Sequence, residues 1–355
     1  MSRRTPRRTR AVLLAAVPAA AALTLTACAS SSTSTTTAAG PSSAPASAAS
    51  SATTYPLTVT QCGRTLTFDK APQKVVVDGE RYAVPLFEMG AGDRVTALFT
   101  RSSGALPPDA TVSSDVAAQL HALPLLVGTA ASSYPSKESF LAAAPDLVIE
   151  AYNGDAGNGD PKATDALVAA GIKVFTLSPS CPGASLSGSM QDTVALGRIL
   201  DVQDRAQALV ASWEKRIEAA RAAAAAAGPG QPTVFFLDGM GEKGEIWSNT
   251  GGFAREMVEA GGGRLVPGNA DPSDIYTVSK EAVVTSDPDV VLTYNSGGSA
   301  ADADQKVVDL WPLIAGSRAE KARTFTVVPY PDGAGTVEFV ERVARAVTVV
   351  KSTSS

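Results

Sequence analysis

A chain of 355 residues with 35 acidic and 30 basic side chains is long enough for two domains and carries the wrong charge for a nucleic-acid binder. Its single histidine, His121, supplies no base-and-acid set for a Ser-His hydrolase and no imidazole cluster for a zinc or manganese carrier. Gly183-Ala184-Ser185-Leu186-Ser187 lacks the final glycine of a nucleophile elbow, and no phosphate-cradling Gly-x-x-x-x-Gly-Lys-[Ser/Thr] occurs, so no catalytic residue, metal site or cofactor is expected.

Residues 1–27 read as an export signal. Arg3, Arg4, Arg7, Arg8 and Arg10 make a positive start, and residues 11–25 are apolar but too short and alanine-rich for a membrane span. Leu25-Thr26-Ala27-Cys28 resembles a bacterial lipobox, in which Cys28 becomes the lipidated, palmitate-bearing N-terminus; a plain secretory signal is the alternative. Arg7-Arg8 leaves Sec or twin-arginine export open. Residues 28–55 are nearly all Ser, Thr, Ala, Pro and Gly, with no apolar surface to offset ordering entropy, and read as a disordered tether. The expected location is the extracytoplasmic face of a bacterial cell membrane. Without the five signal arginines, 25 basic residues face 35 acidic ones, a net charge of about −10. With Cys28 assigned to lipid, Cys62 and Cys181 remain in an oxidising compartment. One disulfide between them is expected, two separate buried thiols being the alternative.

The elements follow in order. Residues 57–60 and 65–68 flank Gln61-Cys62-Gly63-Arg64 as a hairpin. Strands are expected at 74–77, 94–98, 146–149 and 172–175, with helices at 81–90, 136–144 and 160–170 and mostly loop with a short helix from 102 to 124. His121, in that loop, is expected to be exposed. A helix at 187–200 leads into a long one, Val202 to Ala227, with apolar positions at Leu209, Trp213, Ile217 and Ala220. Asp204 can begin it and Gly228-Pro229-Gly230 stops it. At about 1.5 Å per residue it spans roughly 37 Å, the length of a strut between two lobes. Its alanine-rich end predicts close packing on the second lobe. Beyond it, strands are expected at 233–237, 289–292 and 324–328, and helices at 253–260, 279–286 and 336–350. Strand–helix alternation implies α/β lobes with largely parallel sheets. The expected division is a lobe at 56–186, a helix pair at 187–228, a lobe at 229–350 and a tail at 351–355. The Asn/Asp run at 153–160 lacks the spacing and terminal glutamate of a calcium loop.

A repeat crosses the strut. Ser136-Lys137-Glu138 to Pro145-Asp146-Leu147-Val148-Ile149 matches Ser279-Lys280-Glu281 to Pro288-Asp289-Val290-Val291-Leu292 at a constant offset of 143. In each copy the serine can cap a helix, the glutamate sits in the first turn where the dipole favours it, and the proline turns the chain into a strand.

Lipobox, tether, repeat and strut together resemble the substrate-binding lipoproteins of ABC importers for ferric siderophores, cobalamin and haem. The resemblance covers residues 57–350. It implies two lobes joined by one helix, a ligand cleft between them and limited closure. It also implies that Glu138 and Glu281 dock on arginines of the membrane permease; favouring their helix starts is the alternative role, and both can hold at once. In open α/β sheets ligands sit beyond the carboxyl ends of the strands. On that ground the candidate ligand residues are Arg81, Tyr82, Arg101, Tyr134, Tyr152, Trp247, Asn249, Tyr276, Tyr294 and Tyr330. Arginine's planar fork suits carboxylate or hydroxamate oxygens, and aromatic rings offer broad apolar contact with a polar tip. The expected ligand is an Fe(III)-siderophore, with cobalamin or haem as the other choices. The expected partners are the ABC permease and its ATPase, and the protein is expected to act as a monomer in ion transport. A lipoprotein sensor or adhesin is the rival from another class.

Overall fold

The first element of the folded chain is a hairpin, β1 (Leu57–Gln61) antiparallel to β2 (Arg64–Phe68). Its two-residue turn places Cys62 and Gly63 at φ 47° and 73°, the positive-φ pair that a twisted hairpin demands. A computed structural model describes residues 52–100, 112–127, 134–151, 162–241, 243–249, 251–267, 275–294, 300–328 and 333–353. Cys28, the signal, most of the tether and the run at 153–160 lie outside them.

The first lobe alternates β3 (Val75–Val77), α1 (Glu80–Glu88), β4 (Val95–Thr100), α2 (Ser114–His121), β5 (Leu125–Val127), α3 (Lys137–Ala143), β6 (Leu147–Glu150), α4 (Lys162–Ala169) and β7 (Val174–Thr176). The five strands of this sheet are all parallel, in order β5-β4-β3-β6-β7. Apolar side chains cover both faces, as a buried parallel sheet requires: Val76, Phe99, Phe140, Val148 and Leu167 on one, Val75, Leu86, Leu98, Leu147 and Ile149 on the other. β5 escapes the sequence pattern because it is three residues long after a proline. His121 is exposed at the end of α2.

Two helices follow, α5 (Leu186–Ile199) and α6 (Gln203–Ala226). The second has 24 residues, starts at Val202 with no side-chain cap, and keeps Asp204 in its first turn. Its buried stripe is Ala206, Val210, Trp213, Ile217 and Ala224, with Leu209 and Ala220 half-buried at the margin. Ala206 belongs to the first lobe's core, the other four to the second's, and Leu209 packs against both. One rod thus carries both cores. The alanine-rich end packs closely on the second lobe along one line only: Ala224 is fully buried in that core, where a Cβ at Gly262 would lie 3.0 Å from the Ala224 Cβ, while Ala222, Ala223, Ala225 and Ala226 are exposed. The period explains this, since about one residue per turn can face a neighbouring helix.

The second lobe contains β8 (Thr233–Met240), β9 (Ile246–Asn249), α7 (Gly252–Ala260), β10 (Arg264–Leu265), β11 (Ile275–Val278), α8 (Lys280–Ser286), β12 (Val290–Tyr294), α9 (Ala300–Ile314), α10 (Arg318–Ala322), β13 (Phe325–Val328) and α11 (Ala334–Thr353). Its sheet runs β11-β9-β8-β12-β13, with β10 beside β8. β8, β10, β12 and β13 are parallel, but β9 runs antiparallel to β8, and β11 to β9. The link from Gly241 to Glu245 is too short for a parallel crossover, so the chain turns back on itself. α6 and α11 are joined by a bidentate Arg216–Glu341 pair at 2.9 and 3.0 Å. Gly333, at φ 46°, sits where α1, α6 and α11 meet; a Cβ there would lie 2.6 Å from Pro85 Cγ and 3.4 Å from Trp213 Cη2.

Candidate ligand cleft and docking face

In the first lobe the chain builds outward in two directions from β3 and β6, so the switch point lies between them. Asp78, fully buried just after β3, spans that point: its Oδ2 accepts from Ala151 N at 3.1 Å and its own N donates to Ile149 O at 2.9 Å. Beside it, the Glu150 carboxylate accepts from Tyr134 Oη (3.0 Å), Thr164 Oγ1 (2.9 Å) and Thr176 Oγ1 (2.6 Å). Burial pushes the Glu150 carboxyl above the usual glutamate range, against the pull of those three hydroxyls. The segments that leave the ends of β4, β5, β6, β12 and β13, namely 101–111, 128–133, 152–161, 295–299 and 329–332, lie outside the described residues.

The proposed ligand residues divide accordingly. Arg101, Tyr152 and Tyr330 lie outside the described residues, as does the side chain of Tyr294, whose backbone ends β12. Arg81 and Tyr82 occupy the first turn of α1 and are buried, the guanidinium 5.8 Å from the Tyr82 ring centroid. Tyr134 is buried too, edge-on to Phe99 at 5.3 Å and 5.5 Å from Phe140, with its hydroxyl given to Glu150. Trp247 and Asn249 share a face of β9, two residues apart. Trp247 is 40% exposed and its ring edge lies over the backbone of Gly239. Asn249 Oδ1 is buried and accepts no hydrogen bond among the described residues. Tyr276 pairs across with Ser248, which puts it on the opposite face; it packs with Val278 and donates to Pro267 O at 3.0 Å. Trp247 and Asn249 therefore stand together, while Tyr276 belongs to the other layer. Asp78, Glu150 and Thr176 were missed by sequence reasoning; the signal was a carboxylate or hydroxyl at, or just after, the last position of a buried apolar strand.

The two copies of the repeat share their main bonds. Ser136 and Ser279 cap α3 and α8, accepting from Ser139 N (3.3 Å) and Ala282 N (3.1 Å). Both helices end on a left-handed residue, Ala144 and Asp287. Asp146 Oδ2 accepts from Gln73 N and Lys74 N at 2.8 and 3.1 Å, and Asp289 Oδ2 accepts from Thr233 N at 2.7 Å. Each aspartate thus clamps the start of its central strand. The carboxyl-terminal ends of α3 and α8 therefore lie at the strand starts, so their first turns, with Glu138 and Glu281, point toward the strand ends. Each glutamate's own backbone N–H, then the capping serine hydroxyl, holds its carboxyl below the usual range, so both are ionised at neutral pH.

Cys62 and Cys181 form a disulfide, Cα–Cα 5.1 Å, that fastens the β1–β2 hairpin to the turn after β7. Gln61 Nε2 adds bonds to Thr176 O and Asp192 Oδ1, both 2.8 Å. Asp192, buried on α5, also accepts from Ser178 N and Oγ at 2.6 and 2.7 Å; burial raises its carboxyl to about 6 despite these bonds.

Comparison with known proteins fits this architecture. A cobalamin-binding protein of Halobacterium salinarum is 26% identical over 245 residues, 68% of this chain and 59% of that protein. The chain thus spans less than two thirds of the length of that relative. The structure of an ABC-type Fe3+-hydroxamate transport system from Saccharomonospora viridis superposes with a TM-score of 0.68 at 25% identity, covering 82% of this chain and 99% of that one. The haem-binding protein RhuT of Roseiflexus sp. RS-1, in apo form, gives a TM-score of 0.56 at 21% identity over 78% of this chain and 99% of that one, a likeness of fold. The model of the family described as periplasmic binding protein matches residues 99–329, and the chain belongs to that family.

Proposed function

We propose that this protein captures a ferric siderophore outside the cytoplasmic membrane and hands it to an ABC permease. Periplasmic binding proteins of this type are extracytoplasmic substrate carriers rather than enzymes. No helix of the described residues is long and apolar enough to cross a membrane. The observation that carries the ligand class is the match to the Fe3+-hydroxamate protein, which spans nearly the whole of that chain at 25% identity. The exposed Trp247 and the Asn249 Oδ1, which has no hydrogen-bond partner among the described residues, lie on one strand face and supply an apolar plate and a polar acceptor for such a chelate. Cobalamin is the second reading, favoured by the curated relative. Arg81, Tyr82, Arg101, Tyr134, Tyr152, Tyr276, Tyr294 and Tyr330 complete the proposed ligand set, with Tyr134 and Tyr276 acting from beneath through their partners. Delivery runs through Glu138 and Glu281, which meet basic residues of the permease, and Cys28 carries the lipid.

Tryptophan quenching with ferric hydroxamates, ferric catecholates, haem and cobalamin tests the ligand. A ferric hydroxamate should bind below about 10 μM. Failure of all four classes at that level removes the assignment, and tight binding of cobalamin alone selects the second reading. Palmitate labelling of the wild type but not of Cys28→Ala tests the anchor.

A further inference from the structure

Eight large apolar side chains are markedly exposed among the described residues. Isolated ones are ordinary on a protein surface. Four of these eight, however, fall into two pairs at the repeat's offset of 143: Leu141 with Val284, and Val168 with Trp311. Leu141 is 45% exposed and Val284 55%. Each stands three residues after a glutamate, Glu138 or Glu281, and so shares its side of the helix. The intervening Phe140 and Val283 are fully buried, which fixes the same rotation of both helices about their axes. Val168 and Trp311 lie on α4 and α9, the helices that pack beside α3 and α8. Leucine favours a helix, but valine does not, so helix propensity does not account for an apolar side chain left exposed at the same point of both capped seven-residue helices.

From this we infer that Leu141 and Val284 are the apolar halves of a duplicated docking surface. The occupant is a membrane permease that presents the same site twice, an apolar patch next to a basic group in each of two equivalent halves. The inference rests on the delivery reading and deepens it: the ionised glutamates call for cations, and the apolar neighbours call for a dry contact that excludes water from each ion pair. A partner with two unlike halves has no use for two matched surfaces.

The test measures binding of the full-length protein to the cognate permease–ATPase complex in lipid nanodiscs, at low and high salt. The variants are Leu141→Ser, Val284→Ser, the two together, and Glu138→Gln/Glu281→Gln. Each apolar single variant should weaken binding about fivefold and the double variant at least about tenfold, at both salt concentrations. Ligand binding and thermal midpoint should stay at wild-type values. The glutamine pair should weaken binding mainly at low salt. If the glutamine pair weakens binding and the serine pair does not, the apolar surface is refuted and the delivery reading stands. If only one of Leu141 and Val284 matters, the duplication is refuted. If no variant changes binding, both readings fall.

Discussion

The two copies of the repeat share their caps, left-handed stops and strand clamps, and differ most at one end. From cap to clamp they use the same devices: a serine at the helix start, an ionised glutamate in the first turn, a buried residue at Phe140 or Val283, a left-handed stop, and an aspartate gripping the start of the central strand. They part at the last strand positions. Glu150, with three hydroxyl donors, corresponds to Thr293, whose Oγ1 is buried without a partner among the described residues. The shared part builds the lobe and its outer helix; the divergent part sits at the carboxyl ends of the central strands, where open α/β sheets take their ligands. On the proposed function, the duplicated frame serves a partner that is the same on both sides, while the strand ends serve a ligand that is not.

The same asymmetry extends to what holds each lobe. The first lobe alone is stapled, by a disulfide that closes a loop of 119 residues. Cys62→Ser/Cys181→Ser should lower unfolding free energy by about 4 kcal/mol, measured by denaturant titration of reduced and oxidised protein. A second difference is in buried acid. Asp192 sits near 6 when folded against an ordinary aspartate value of 3.8, and Glu150 is raised as well, in both cases chiefly by burial. Such groups hold their protons more tightly in the folded state. The stabilising effect of Asp192 is full below pH 3.8, where folded and unfolded chains are both protonated, and is lost as pH rises through about 6; Glu150 acts in the same direction. The account predicts a loss of about 2–3 kcal/mol from Asp192 between those limits, and Asp192→Asn should flatten that part of the stability profile.

Smaller effects compare the copies directly. Asp289 is less exposed than Asp146 and also meets Arg318 at 3.3 Å. Asp289→Ala should therefore cost about 2 kcal/mol and Asp146→Ala about 1 kcal/mol, read from thermal melts. Equal costs would mean that the clamp acts through the backbone bonds alone. Ser136→Ala and Ser279→Ala should each cost about 1 kcal/mol and agree with one another, because the two caps have the same geometry.

Much of this frame was legible in the sequence. Seven of the expected strands have apolar runs bounded by Pro, Gly or Asp, and the strut and the repeat announce themselves by period and offset. The hairpin turn and the disulfide followed from Gly63 and from cysteine arithmetic. What escaped was set by tertiary partners. β9 and β11 are four residues each and exist as strands only because they pair with each other and with β8. Tyr134 looked like a rim residue from its place before α3; its hydroxyl is drawn inward by Glu150, a partner sixteen positions away. Tyr276 and Trp247 look alike as aromatic residues near loops, and only strand register separates their faces.

The central claim is that a duplicated binder delivers its ligand through two matched glutamates. Charge reversal at both, Glu138→Arg/Glu281→Arg, measured in parallel for uptake of iron-loaded siderophore by cells and for siderophore binding by the purified protein, tests it most directly. The account predicts that uptake is abolished while the dissociation constant stays within about twofold of wild type. Undiminished uptake, or loss of binding along with uptake, would contradict it.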